Sequence, residues 1–168
     1  MLNGDGLRVV LWTAGCSHHC PGCQNPVTWD PDGGAPFTDA EKQEIFDELE
    51  KDYVSGITFS GGDPLHHANV WDVTALAREI REKYPEKTIW VYTGYLWEDV
   101  RSISLMKDTD VLVDGRYVEE LRDVNLHWKG SANQRVIDVQ SSLSRGTVVL
   151  WDDDPGSGTV STRAACDM

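Results

Sequence analysis

The sequence predicts an α/β protein built as a partial, open (β/α) barrel. Three observations lead there. Short β-branched and aromatic runs alternate with segments whose apolar residues recur at helical spacing, the pattern of right-handed βαβ units around a mostly parallel sheet. The polar and glycine-rich motifs fall where strands end, and in parallel α/β folds those ends share one ligand-binding face. The chain's 168 residues fall short of a closed eight-stranded barrel, which typically takes ~250.

Each element has its own justification. Residues 7–13, LRVVLWT, read as a buried strand. Thr38 and Glu41 form a capping box: the hydroxyl accepts from an early helix N–H while the carboxylate reaches back. The helix they open carries Ile45, Phe46, Leu49 and Tyr53 on one stripe. Residues 57–60 form the next strand. Val73, Leu76, Ala77, Ile80 and Tyr84 are the stripe of a second helix, which Pro85 ends. A strand over 88–93, a weaker helix over 97–106 and a strand over 110–114 repeat the alternation. Residues 134–139 are a fifth strand candidate, with 147–151 a further one. These elements make one domain over residues 1–151. From Asp152 the composition turns polar, glycine-rich and acidic, so 152–168 is expected to be a loosely ordered tail.

Composition narrows the function classes. The 28 acidic residues against 15 basic ones give a net charge of −13. That balance argues against a protein that grips nucleic acid by neutralising phosphates, and against an anionic membrane as partner. No apolar run approaches the ~18 residues of a membrane span, and the first residues lack the charged and apolar regions of a signal peptide. A soluble cytoplasmic protein is expected. Of four cysteines, Cys16, Cys20 and Cys23 crowd together. Disulfide scaffolds spread their cysteines and belong to secreted chains, so this cluster reads as a metal or iron–sulfur site. Cys166 stands apart.

The loop Gly15-Cys16-Ser17-His18-His19-Cys20-Pro21-Gly22-Cys23 has C-x3-C-x2-C spacing. Three thiolates can hold three irons of a [4Fe–4S] cubane and leave the fourth iron open to a ligand. The other reading is structural zinc held by three cysteines and one of His18, His19, His66, His67 or His127. Further motifs end the later strands: Ser60-Gly61-Gly62-Asp63-Pro64, Thr93-Gly94-Tyr95 and Asp114-Gly115-Arg116. Together they imply one site assembled from several loops.

These pieces carry a resemblance. The cysteine loop after a first strand resembles the radical S-adenosylmethionine (SAM) family. Within it, the chain is similar to the activases of glycyl radical enzymes, those of the anaerobic ribonucleoside-triphosphate reductases in particular. The matching segments are NGDGLR (residues 3–8), GCSHHCPGCQN with Thr28 and Trp29, SGGDPLH (60–66), WVYTGY (90–95), VLVDGRYV (111–118) and KGSANQRVIDV (129–139). Gly22 stands where many members of the superfamily carry an aromatic. Gln24 stands where relatives within the subfamily often have one, so the adenine of SAM is expected to pack differently.

The resemblance implies a partial barrel of the radical SAM type, a [4Fe–4S] cluster on Cys16, Cys20 and Cys23, and SAM chelating the open iron. It sets Gly61 and Gly62 beside the methionine moiety, where the missing Cβ atoms let backbone polar groups approach. Asp63 is a candidate acceptor for the SAM amino group, its alternative role being to cap the turn before Pro64. Gly22 and Gln24 resemble positions touching the nucleoside, and Asp114, Asn133 and Arg135 are candidates for the pocket or its rim. The implied activity is reductive cleavage of SAM to a 5′-deoxyadenosyl radical that generates a glycyl radical on the reductase large subunit. A flavodoxin or ferredoxin is the implied electron donor. Two alternatives stand beside this: an activase of a pyruvate formate-lyase-type enzyme, and a non-catalytic zinc-binding module.

Overall fold

The computed structural model describes residues 3–151; the expected tail 152–168, with Cys166, lies outside the described residues. Five strands form one sheet in the order β1 (Arg8–Thr13), β2 (Gly56–Gly61), β3 (Thr88–Tyr92), β4 (Val111–Asp114) and β5 (Arg135–Asp138). The first four run parallel and β5 pairs antiparallel with β4. The sheet is open, and the fold is mixed α/β. The helices are α1 (Asp39–Leu49), α2 (Val70–Lys83), the short α3 (Trp97–Val100) and α4 (Val139–Arg145), with single 3-10 turns between them.

Alternation along each strand sorts the sheet's two faces. Ile57, Phe59, Ile89, Val91, Leu112 and Ile137 enter the core that α1 and α2 cover with Ile45, Leu49, Val73, Leu76, Ala77 and Ile80. The opposite face carries Trp90, Val111, Val113 and Val136, roofed by Trp128 and Trp151. Trp90 meets both roofing indoles edge-on. At the amino end of the strands Arg8 lies 5.4 Å from the Trp90 ring centroid and donates to Thr58, Thr88, Asp5 and Ile57. Burial pulls its guanidinium down to about 10, a cost that those hydrogen bonds offset.

The capping box forms as the sequence expects: Thr38 Oγ accepts from the Ala40 N–H, and Glu41 accepts from the Thr38 N–H at 2.7 Å. Four expectations are corrected. Among the described residues strand β1 is an edge strand paired only with β2, so it is half-buried, and Trp12 is 48% exposed. Tyr53 lies past the end of α1 and is 66% exposed, because the chain turns at Lys51 to enter β2. The helix expected over 97–106 is two pieces, α3 and a 3-10 turn at Ser104–Lys107, because Ile103 between them is extended. In 147–151, only Leu150 bridges the sheet, at Ile137. Among the described residues, no helix is long and apolar enough to cross a membrane.

Candidate functional site

The carboxyl ends of β1 to β4 converge as the parallel order requires. The cysteine loop leaves β1 and is fastened at its root by backbone bonds: Gly15 N–H to Thr28 at 2.8 Å and Cys16 N–H to Trp29 at 3.0 Å. The β2 loop locks against it, Gly62 N–H donating to Thr13 and Asp63 N–H to Gly15, both at 2.8 Å. The glycines are required by this closeness. Gly61 has φ +105°, and a Cβ at Gly62 would stand 2.6 Å from the carbonyl oxygens of Gly15 and Thr28.

His19 (φ 47°) and Gly22 (φ 69°) both take left-handed backbone. Such reversals fold a short loop back on itself, the geometry of backbone nests found at anion and iron–sulfur sites. His19 stores local strain, of order 1 kcal/mol. All three thiols are free and half-buried, and the Asn25 N–H reaches Cys23 Sγ at 3.4 Å. Burial pushes the Cys16 thiol up and the negative charges of Asp63 and Cys20 add to the effect, while the backbone N–H groups of His18 and His19 oppose it. Metal binding at Cys16 would therefore release a proton.

A cavity of about 130 Å³ is lined by Cys16, Cys20 and Cys23, by Gln24 and Trp29, and by Gly61 and Gly62 of the β2 loop. His18 and Asn25 of the cysteine loop, Ser60 and Tyr92 at the strand ends, Thr93 and Gly94 after β3, Gly115 and Tyr117 after β4, and Gly130 and Gln134 also line it. Asp63 is 1% exposed beneath it and binds the loops together. Its carboxylate accepts from His18 Nε2 at 2.8 Å, Leu65 N–H at 2.8 Å, Thr93 Oγ at 2.9 Å and Gly94 N–H at 3.0 Å. Neither it nor exposed Gly22 lines the cavity.

Asp114, Asn133 and Arg135 also stand outside the lining. Buried Asp114 accepts from the Trp97 N–H at 2.8 Å and from Arg135 at 3.0 and 2.5 Å, and Arg135 also pairs with Glu98. Asn133 donates to the Arg116 carbonyl at 2.8 Å. The residue between them faces the site. Gln134 accepts from the N–H groups of Gly130 and Ser131 and donates to the Gly115 carbonyl at 2.9 Å, tying two site loops together. The two-residue alternation at the entry to β5 was the available signal: if Arg135 turns outward, Gln134 turns in. Tyr117 and Gly130 carried no such signal.

Known proteins give this geometry a family. Residues 2–137 match the family model of the 4Fe-4S single cluster domain. An anaerobic ribonucleoside-triphosphate reductase-activating protein of Escherichia coli K12 is 43% identical over 140 residues, 81% of this chain and 91% of that one. Another, of Enterobacteria phage T4, is 42% identical over 135 residues, 80% of this chain and 86% of its own. A third, of Haemophilus influenzae, is 38% identical over 138 residues. The chain belongs to the anaerobic ribonucleoside-triphosphate reductase-activating protein family.

The site's donor set fits the iron–sulfur cluster of that family. Among the described residues, no three His, Cys, Asp or Glu side chains converge on one point that would hold a single ion. Zinc needs four donors within about 2.0–2.3 Å of one centre. Of the histidines offered for that role, His18 lines the cavity with its Nε2 bonded to Asp63 at 2.8 Å, His19 Nδ1 bonds the Ser17 carbonyl at 3.1 Å, and His66, His67 and His127 stand outside the cavity lining. A cubane asks for thiolates on separate irons, arranged around a cavity, as Cys16, Cys20 and Cys23 are.

Proposed function

We propose that this chain activates the anaerobic ribonucleoside-triphosphate reductase by radical SAM chemistry in the cytoplasm, with flavodoxin or ferredoxin as electron donor. One observation carries the reading: three thiols, two glycines and the loops after β3 and β4 line a single cavity. The only further cysteine is distant in sequence. A cluster held by three thiolates keeps one iron for a substrate, and SAM is that substrate in this reading. The open sheet is then the partial barrel of the radical SAM type, with room for a segment of the reductase.

A [4Fe–4S] cluster held by Cys16, Cys20 and Cys23 would supply the electron for reductive cleavage of SAM, the chemistry that would generate a glycyl radical on the reductase. The chain's own residues do the rest. Cys16, Cys20 and Cys23 would hold the metal, and the Asn25 N–H bond to Cys23 would stabilise that thiolate. Gly61 and Gly62 let backbone polar groups meet the ligand, and Gln24 faces its nucleoside end. Asp63 fixes the cysteine loop on the β3 loop through His18 and Gly94. Trp29 and Tyr117 wall the cavity against water.

Anaerobic reconstitution with iron and sulfide, followed by EPR of the reduced protein with and without SAM, tests the reading. The expected result is a [4Fe–4S]⁺ signal that changes when SAM is added, and a glycyl radical when the reductase is present. A signal indifferent to SAM would overturn it.

A further inference from the structure

The helical face of the sheet is not finished by its own helices. Between β1, residues 31–37 and the facing sides of α1 and α2 runs a groove of about 910 Å³. Its floor is apolar, with Val9, Leu11, Val73 and Leu76, and Trp12 and Phe37 stand at its lip, 48% and 45% exposed. Single exposed aromatics need no explanation. Two on one groove, beside a strand edge that is unpaired among the described residues, mark a surface built for contact.

The rim fixes the chemistry of that contact. Among the described residues six carboxylates line the groove, those of Asp32, Glu41, Glu44, Glu48, Asp72 and Glu79, and the one cation in the lining is Lys42, already paired with Glu79. Asp32, Glu44 and Asp72 have no ion-pair partner among the described residues. Clustered carboxylates repel one another across a low-dielectric floor, and a cationic partner relieves that repulsion while gaining apolar burial. The groove also leads to the site. Thr13 and Ala14 line its end, directly before Gly15 and Cys16, and Asn69 there donates to the Ala14 carbonyl at 2.8 Å. A segment seated in it arrives beside the cysteine loop.

We propose that this groove docks a basic, partly apolar segment of the reductase, and so aligns that partner with the cysteine cavity. The inference rests on the activase reading for the identity of the partner. Its chemistry rests on the groove alone.

The test uses the reconstituted holoenzyme and the purified reductase. Asp32→Lys combined with Glu44→Lys changes two exposed carboxylates that lie outside the cysteine cavity, so iron content and the EPR response to SAM should match the parent protein. Binding to the reductase should weaken by about tenfold or more at low salt, and the parent's affinity should fall as salt rises from about 50 to 300 mM. Phe37→Ser should also weaken binding while leaving its salt dependence in place. Parent affinity and salt dependence in the double variant would overturn the proposal, as would failure of the parent to bind the reductase. A self-association of this chain abolished by the double variant, with reductase binding intact, would assign the groove to a second copy instead. Salt-dependent reductase binding without a SAM response would leave the docking groove standing and remove the radical chemistry.

Discussion

Asp63 is where the site is most exposed to a single change. Four donors end on its buried carboxylate: His18 Nε2, Leu65 N–H, Thr93 Oγ and Gly94 N–H. In Asp63→Ala all four lose their acceptor, and a buried donor left unsatisfied costs about 1–3 kcal/mol. Some relief comes from water entering the space, so about 4 kcal/mol is the expected loss. Asp63→Asn keeps Oδ1 for Leu65 and Thr93 and loses the acceptor facing His18 and Gly94, so about 2 kcal/mol is expected. At about 2–4 °C per kcal/mol for a chain of this size, the melting point should fall by about 8–16 °C in the alanine variant and half that in the asparagine variant. The assay is anaerobic thermal melting of the apo protein followed by circular dichroism, with iron content after reconstitution as a second readout. An alanine variant melting within about 3 °C of the parent would refute the reasoning.

Arg135→Ala leaves the buried Asp114 carboxylate with the Trp97 N–H as its remaining partner. Breaking a buried pair costs about 3–5 kcal/mol, and partial exposure of Arg135 lowers the expected loss to about 2–3. Its hydrogen bonds also hold the Glu98 carboxyl below its ordinary 4.5. The Glu98 contribution is therefore complete above pH 4.5 and lost as pH falls through the lowered value, so parent and variant denaturation midpoints should draw together on acidification. Gly62→Ala places a methyl against two carbonyl oxygens of the cysteine loop, and iron uptake should drop several-fold alongside a lower melting point. Cys20→Ala should abolish the iron–sulfur absorbance while the half-buried position keeps the apo melting point within about 2 °C. A variant that still binds a full complement of iron would remove Cys20 from the ligands.

Local physics made much of this protein legible in its sequence. The strand and helix order, the Thr38–Glu41 cap and the stripe from Val73 to Tyr84 follow from side-chain periodicity and short-range hydrogen bonds, which act within a few residues. The cysteines are close in the fold because they are close in the chain, and the polar motifs at strand ends meet because parallel strands must align their ends. Periodicity says which way a residue points, not what it meets there. That β1 is an edge with an acidic groove beside it, and that β5 reverses direction, depended on which strands found partners. Asp63 meets His18 from 45 residues away and Asp114 meets Arg135 from 21, pairings that no local window contains. Gln134, rather than the residues on either side, reaches the cavity, its amide held between the Gly130 and Ser131 N–H groups and the Gly115 carbonyl. The sequence by itself determined the order of the main strands and helices and the closeness of the three cysteines. Tertiary packing alone decided which polar groups buttress the site and which line it, because those roles are set by long-range pairing and burial.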